Sequence, residues 1–167
     1  MKKCLALVVA ALSAVCLASA AVAGPVAVVN VDKIFSESKA AKAGQAHLVE
    51  AQKILQGAYD KLAEMYKGKE QTDEAKKVLA QAEYTLNQQM DRERAAVNSV
   101  LSQQLSVAVN QWYKKNSSKY DIVLSSRLVL AFSNTVNITP DILKIVDSYT
   151  PKFPELPKVT VNPPAGK

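Results

Sequence analysis

The stretch GPVAVVNVDKIFSES, residues 24–38, decides how the chain is read. Residues 26–31 are β-branched and almost wholly apolar, the pattern of a strand covered on both faces. Asp32 stands where it can cap a helix, and the chain then becomes long, polar and helical. No second strand pattern appears until residue 120. One buried strand at the root of a long helical region needs a partner from somewhere else.

Residues 32–67 contain no proline and are rich in Ala, Lys, Gln, Glu and Leu, with Gly44 and Gly57 as the interior exceptions. Ala41, Leu48, Leu55 and Leu62 recur every seven residues, and Gly44, Ala51, Ala58 and Met65 follow each by three. That is a heptad seam of large and small partners. Gly68 is a natural stop, and Thr72 or Asp73 a natural restart. The chain to about Lys115 then lacks both proline and glycine. Its seam runs through Leu79, Ala82, Leu86, Met90, Glu93, Val97, Leu101, Gln104, Ala108 and Trp112, with a spacing nearer an eleven-residue repeat than a heptad. Two helices of similar length joined by a short turn predict an antiparallel hairpin. The first helix would extend roughly 54 Å at 1.5 Å per residue.

After residue 116 the pattern changes. YDIVLSS (120–126) and RLVLAF (127–132) predict two short strands. Thr139 is the expected cap of a short helix with Pro140 at its first position, and Ile142, Leu143, Ile145 and Val146 give that helix one apolar face. The end, TPKFPELPKVTVNPPAGK, holds five of the seven prolines. Pro151, Pro154 and Pro157 are three apart, the period of polyproline II. It reads as an extended tail, either unstructured or packed on the body, with a docking ligand as the competing role.

Residues 1–23 read as a secretory signal peptide: a short positive start, an apolar run and small residues Ala21 and Ala23 before Gly24. An uncleaved anchor is the alternative, since the segment is barely long enough to span a bilayer. Cys4 and Cys16 both lie in it, so the mature chain is free of cysteine and its folding must rest on packing or oligomerisation. The expected compartment is the periplasm.

The formal net charge of +6 is unevenly spread. Residues 24–111 carry eleven Lys and Arg against eleven Asp and Glu; residues 112–167 carry eight against four. Nucleic acid is not an expected partner of an exported chain. The basic last third admits contact with anionic lipid or lipopolysaccharide and otherwise serves solubility. Catalytic patterns are missing. His47, the only histidine, reads as a surface residue of a solvated helix. No Gly-x-Ser-x-Gly or phosphate loop appears. Glu70, Asp73 and Glu74 at the hairpin turn read as a solvated charge mixture, since a hydrated tip cannot desolvate an acid–base pair. The expectation is a protein that is not an enzyme and uses neither cofactor nor metal.

The order of parts resembles the Skp/OmpH family of periplasmic chaperones. VAVVNVDKIF supplies an apolar strand with Asn and then Phe, a long hairpin follows, and YDIVLSSRLVLAFSNTVNITPDILKIVD closes the pattern over residues 26–147. The resemblance implies a homotrimer with three arms enclosing a cavity for unfolded outer-membrane proteins, without ATP. The expected fold class is α+β: a small β body of three strands per chain completed by trimerisation, a long antiparallel helical hairpin arm of coiled-coil type, and a short C-terminal helix. The expected domain spans 24–150, with body 24–32 and 116–150, arm 33–115 and a Pro-rich tail at 151–167. Three strands per chain are too few for a stable free sheet. Val26, Val28, Val29, Val31, Ile122, Leu124, Leu128, Leu130 and Phe132 are the expected trimer body, and a charge at Val28 is expected to dissolve the trimer. Asn30, Asp32 and Phe35 would mark a hinge between body and arm. Tyr59, Met65, Tyr66, Val78 and Tyr84 are the client-contact candidates, with packing inside the hairpin as the competing role of each. The arms here are charge-balanced where the family's are usually strongly basic, which weakens electrostatic client holding and a lipopolysaccharide site. The alternative function is an exported coiled-coil structural or adaptor protein of the cell envelope.

Overall fold

The computed structural model describes residues 24–161. The expected leader at 1–23 and tail residues 162–167 lie outside the described residues. The chain is mixed helix and strand. Strand β1 (Val26–Val29) is followed by helices α1 (Val31–Glu37), α2 (Lys39–Met65) and α3 (Asp73–Asn116), strand β2 (Ile122–Ser125) and helix α4 (Thr139–Val146).

The partner sought by β1 is β2. They pair in parallel, with Val26 opposite Ile122 and Val29 opposite Ser125. Parallel neighbours need a crossover connection, and here the crossover is the whole hairpin. On the other edge of β1, Asn137 bridges to Val28, and the Ile138 N–H donates to the Val28 carbonyl at 2.9 Å. With partners on both edges, β1 buries Ala27 and Val29 in a core shared with Ile34, Ala40, Trp112, Ile138, Ile142 and Val146, and Val28, on the opposite face, is buried as well.

The strand stops earlier than its apolar run suggests. The Asn30 side chain accepts the Lys33 N–H at 2.9 Å, while the Asn30 N–H donates to Thr139 Oγ1 at 2.9 Å, 109 positions away. Asn30, not Asp32, therefore caps the helix, and Val31 is its first residue rather than a strand residue. Thr139 is likewise not the cap of α4. Its hydroxyl serves Asn30 and its own N–H donates to Asn137 Oδ1 at 3.0 Å, so α4 begins at Thr139 itself.

The first long helix is broken at Ser38. Its backbone is extended there, and its buried hydroxyl accepts the Ala41 N–H at 3.1 Å to start α2. The Lys39 N–H, orphaned at the new helix start, donates to Asp147 Oδ1 at 2.7 Å just beyond α4. The hairpin helices are consequently unequal: α2 has 27 residues and α3 has 44. At 1.5 Å per residue they extend about 40 and 66 Å.

The hairpin seam follows the expected positions at its base, whereas Met65, the last expected seam residue of α2, is exposed. Ala41, Gly44, Ala51, Leu55 and Ala58 are buried on α2, and Met90, Glu93, Val97, Leu101, Ala108 and Trp112 on α3. A Cβ on Gly44 would lie 2.8 Å from Val97 Cγ1 and 3.3 Å from Phe153 Cζ, so the close approach needs glycine. Gly68, at φ +79°, ends the turn after α2, and the Thr72 hydroxyl caps α3 by accepting the Ala75 N–H at 3.2 Å.

The third expected strand, 127–132, does not form; the sheet has two strands. Ser126–Leu128 is a 3-10 turn, and irregular chain follows to Ser133. The Ser125 hydroxyl accepts the Arg127 N–H at 3.3 Å, and the Arg127 guanidinium grips Asp32 on α1, with Nε donating to Oδ2 at 2.8 Å. The chain turns away directly after β2. The result is an outer edge of β2 without a strand neighbour among the described residues, beside Leu128 at 76 % exposure and a fully exposed Leu130.

Candidate functional site

Two surfaces gather the residues that the sequence singled out. The first is the arm. Beyond the cross-linked base, a cleft of about 550 Å³ lies along the hairpin, lined by Ala58, Tyr59 and Leu62 on one helix and Val78, Ala82 and Leu86 on the other. Tyr59 and Val78 thus face one another across the same apolar cleft. Tyr59 and Leu86 also line a second, more polar cleft with Leu55, Met90 and Arg94. Met65 is exposed on a third, which it shares with Ile54, Gly57 and Lys61. Tyr84 is 60 % exposed on α3, its hydroxyl accepting the Gln88 amide at 2.8 Å. Tyr66 differs from these: it is 6 % exposed at the end of α2. Its placement in this conformation is the packing role rather than a contact surface, because the turn through Gly68 folds over it and the Lys69 N–H returns to its carbonyl at 2.9 Å.

The clefts owe their apolar lining to the seam. Small residues such as Ala58 and Ala82 leave the helices unfilled along their flanks, so larger neighbours line open clefts instead of closing them. Leu62, Ala82 and Leu86 belong to this lining and were visible in the sequence only as seam positions. Three further lining residues, Val159, Thr160 and Val161, come from the tail.

The second surface is the open edge of the body. The nine expected trimer residues divide in two. Val28 and Val29 are buried within the chain's own core, and Val26, Val31 and Leu124 are half-buried. Ile122, Leu128, Leu130 and Phe132 are exposed together along β2 and the irregular segment after it. Val28 is therefore a core residue of one chain and not a contact whose loss would merely separate subunits.

The charged groups have structural partners. The Arg127 guanidinium beside Asp32 holds that carboxyl below its ordinary range, and Asp32 in turn raises the guanidinium. At the arm tip, the Gly68 N–H donates to Glu70 Oε1 at 2.8 Å, and this bond, its own backbone N–H and nearby Lys67 lower the Glu70 carboxyl. Asp73 and Glu74 occupy the first turn of α3, where the helix dipole favours negative charge. His47 is not a surface residue. Its Nε2 lies 3.1 Å from Glu93 Oε2, both side chains being almost buried, and the Gln89 amide donates to the other Glu93 oxygen at 3.0 Å. The pair fastens α2 to α3 near the base of the arm. Among the described residues, no group of His, Cys, Asp and Glu is placed to hold a metal ion, and no helix is long and apolar enough to cross a membrane.

In comparison with known proteins, no family model and no curated protein matches the chain.

Proposed function

We propose that the chain is a periplasmic, ATP-independent holdase that shields unfolded outer-membrane proteins from aggregation before membrane insertion. It works as a homotrimer: the open edges of three bodies join, and three arms surround the client. The observation that carries this reading is one chain with two apolar surfaces of different kinds that its own helices and strands leave unfilled. Ile122, Leu128, Leu130 and Phe132 are large apolar residues left exposed close together in sequence on a small body, which suits self-association. Ala58, Tyr59, Leu62, Val78, Ala82 and Leu86 line an open cleft along a projecting arm. A shallow apolar cleft gives weak, repeated contacts to extended chain and little selection among sequences, which suits a holdase with many clients.

The test is dilution of a urea-denatured β-barrel protein into buffer with and without the purified mature chain. Suppressed light scattering at a three-to-one excess of subunits supports the reading, and unchanged aggregation defeats it. Leu130→Asp addresses the assembly: sedimentation is expected to give the mass of a single chain with helical circular dichroism retained. A wild-type chain sedimenting as a monomer would remove the trimer.

A further inference from the structure

The tail contains a repeat finer than its proline period. Pro151-Lys152-Phe153, Pro154-Glu155-Leu156 and Pro157-Lys158-Val159 are three successive tripeptides of proline, charge and apolar side chain. A polyproline helix has three residues per turn, so each class occupies its own side. The exposures follow that division in the first two tripeptides. Lys152, Glu155 and Lys158 are all exposed, with Lys158 Nζ donating to Glu155 Oε2 at 2.9 Å, while Phe153 and Leu156 are half-buried; Val159, the third apolar member, is 40 % exposed.

The apolar side lies on the arm. The Phe153 ring centroid is 5.5 Å from that of His47, and the ring sits over Gly44, where any Cβ would press on it. Farther out, Val159, Thr160 and Val161 line clefts with Ala58, Tyr59, Leu62 and Val78 on one side and Gly57 and Met65 on the other. The lengths agree. Gly44 to Gly57 is about 20 Å along a helix, and Phe153 to Thr160 is about 22 Å in polyproline geometry. The tail therefore runs outward along α2 in extended form. Among the described residues no hydrogen bond joins 151–161 to the arm, and three of its residues are prolines with no N–H to give. Apolar contact alone holds it.

An extended segment with apolar side chains at intervals, held without hydrogen bonds, has the chemistry of an unfolded polypeptide. We propose that residues 151–161 are a built-in stand-in for client, occupying the arm's binding face until a client segment displaces them. This inference rests on the holdase reading. It assigns the face around Gly44, Gly57, Ala58 and Tyr59 as a site for extended apolar peptide and makes the tail its competitor. Tethering at Thr150 places the tail at an effective concentration on the order of millimolar, so even a weak contact masks the face several-fold.

The experiment uses the full mature chain, a Phe153→Ser/Leu156→Ser variant and a Lys152→Ala/Lys158→Ala variant. The probe is a fluorescein-labelled peptide of residues 150–161, read by anisotropy, and circular dichroism checks that each variant keeps its helices. The labelled peptide is expected to bind the first variant about three- to tenfold more tightly than the wild type, following the effective-concentration estimate. The second variant, altered on the outward side, is expected to match the wild type. A denatured β-barrel client is expected to show the same order. Equal peptide binding by wild type and first variant overturns the occupancy, as does an equal gain in the second variant. Equal client affinity in wild type and first variant overturns the competition. If no chain binds client while the peptide still separates the variants, the holdase reading fails and the tail's occupancy stands.

Discussion

The base of the hairpin and its outer part are built from one seam and held in different ways. At the base, α2 and α3 join the body's core through Ala40, Ala41, Val97, Leu101, Ala108 and Trp112. His47 and Glu93 bridge the helices, and Asp147 receives the start of α2. Farther out, Ala51, Leu55, Ala58 and Met90 are buried. Among the described residues, however, no side-chain hydrogen bond crosses between the helices beyond His47 and Glu93. The two glycines of α2 stand on different faces. A Cβ on Gly44, on the seam, would collide with Val97, whereas a Cβ on Gly57, beside the seam, would meet nothing within 4 Å. The outer arm is thus held by packing of small and apolar residues without a side-chain hydrogen bond between its helices. This division locates the clefts: they open where the cross-links end.

The contrast can be broken most severely from the body. Val28→Asp buries an unpaired carboxylate in the middle of β1, at a cost expected to exceed about 4 kcal/mol, comparable with the whole stability of a marginal domain. Circular dichroism is expected to show loss of helix as well as of oligomer; a folded monomer would mean that β1 is not the chain's own core. Next comes Gly44→Val, expected to destabilise by about 1–3 kcal/mol through overpacking against Val97 and Phe153. Urea denaturation measures it, and a neutral result would show the base to be as loose as the outer arm. Asn30→Ala removes the cap of α1, with an expected loss of about 1 kcal/mol in the same assay.

Gly57→Ala sharpens the comparison from the other side. With no atom in the way, the better helix former is expected to stabilise the arm by about 0.5–1 kcal/mol. A loss would reveal a contact at this position. The smallest expected effect concerns Asp32. Its carboxyl is depressed in the folded state by Arg127, so the stabilisation is present above the unfolded-state pKa and is lost as pH falls through the folded one. Both side chains are exposed, which keeps the effect small. A melting-temperature gap between wild type and Arg127→Ala is expected at neutral pH and should close as pH falls below the ordinary aspartate value of 3.8. A gap unchanged in acid would assign the difference to something other than the ion pair.

The hairpin was legible because helical periodicity is a local property: seam residues such as Ala51, Leu55, Val97 and Leu101 announce themselves every three or four positions. The two strands were legible from composition, and the parallel sense of their pairing was not. What escaped was decided by residues far apart in sequence. The Asn30–Thr139 bond assigns both residues roles that neither neighbourhood suggests, and it moved two helix starts. The absence of a third strand was likewise not legible in the apolar run 127–132. The period of α3 put Glu93 on the buried line, yet His47 looked like surface because its partner is on another helix. In the candidate site, Tyr59 and Val78 were readable as apolar residues beside a small-residue seam. Tyr66 was not, since its burial depends on the turn made by Gly68. The resting place of the tail depends on a notch that exists only once Gly44 has packed against Val97.

The parallel pairing of β1 with β2 has a consequence for how the molecule comes into being. During synthesis β1 emerges first, and its neighbour follows only after both long helices are complete. Helical turns zip up within microseconds from contacts along the chain, whereas closing the sheet must await residues of high sequence separation. The arm therefore matures before the body that carries it. In that interval Ala27, Val28 and Val29 are the exposed, aggregation-prone segment, and a protein proposed to shelter unfolded chains begins its own life as one.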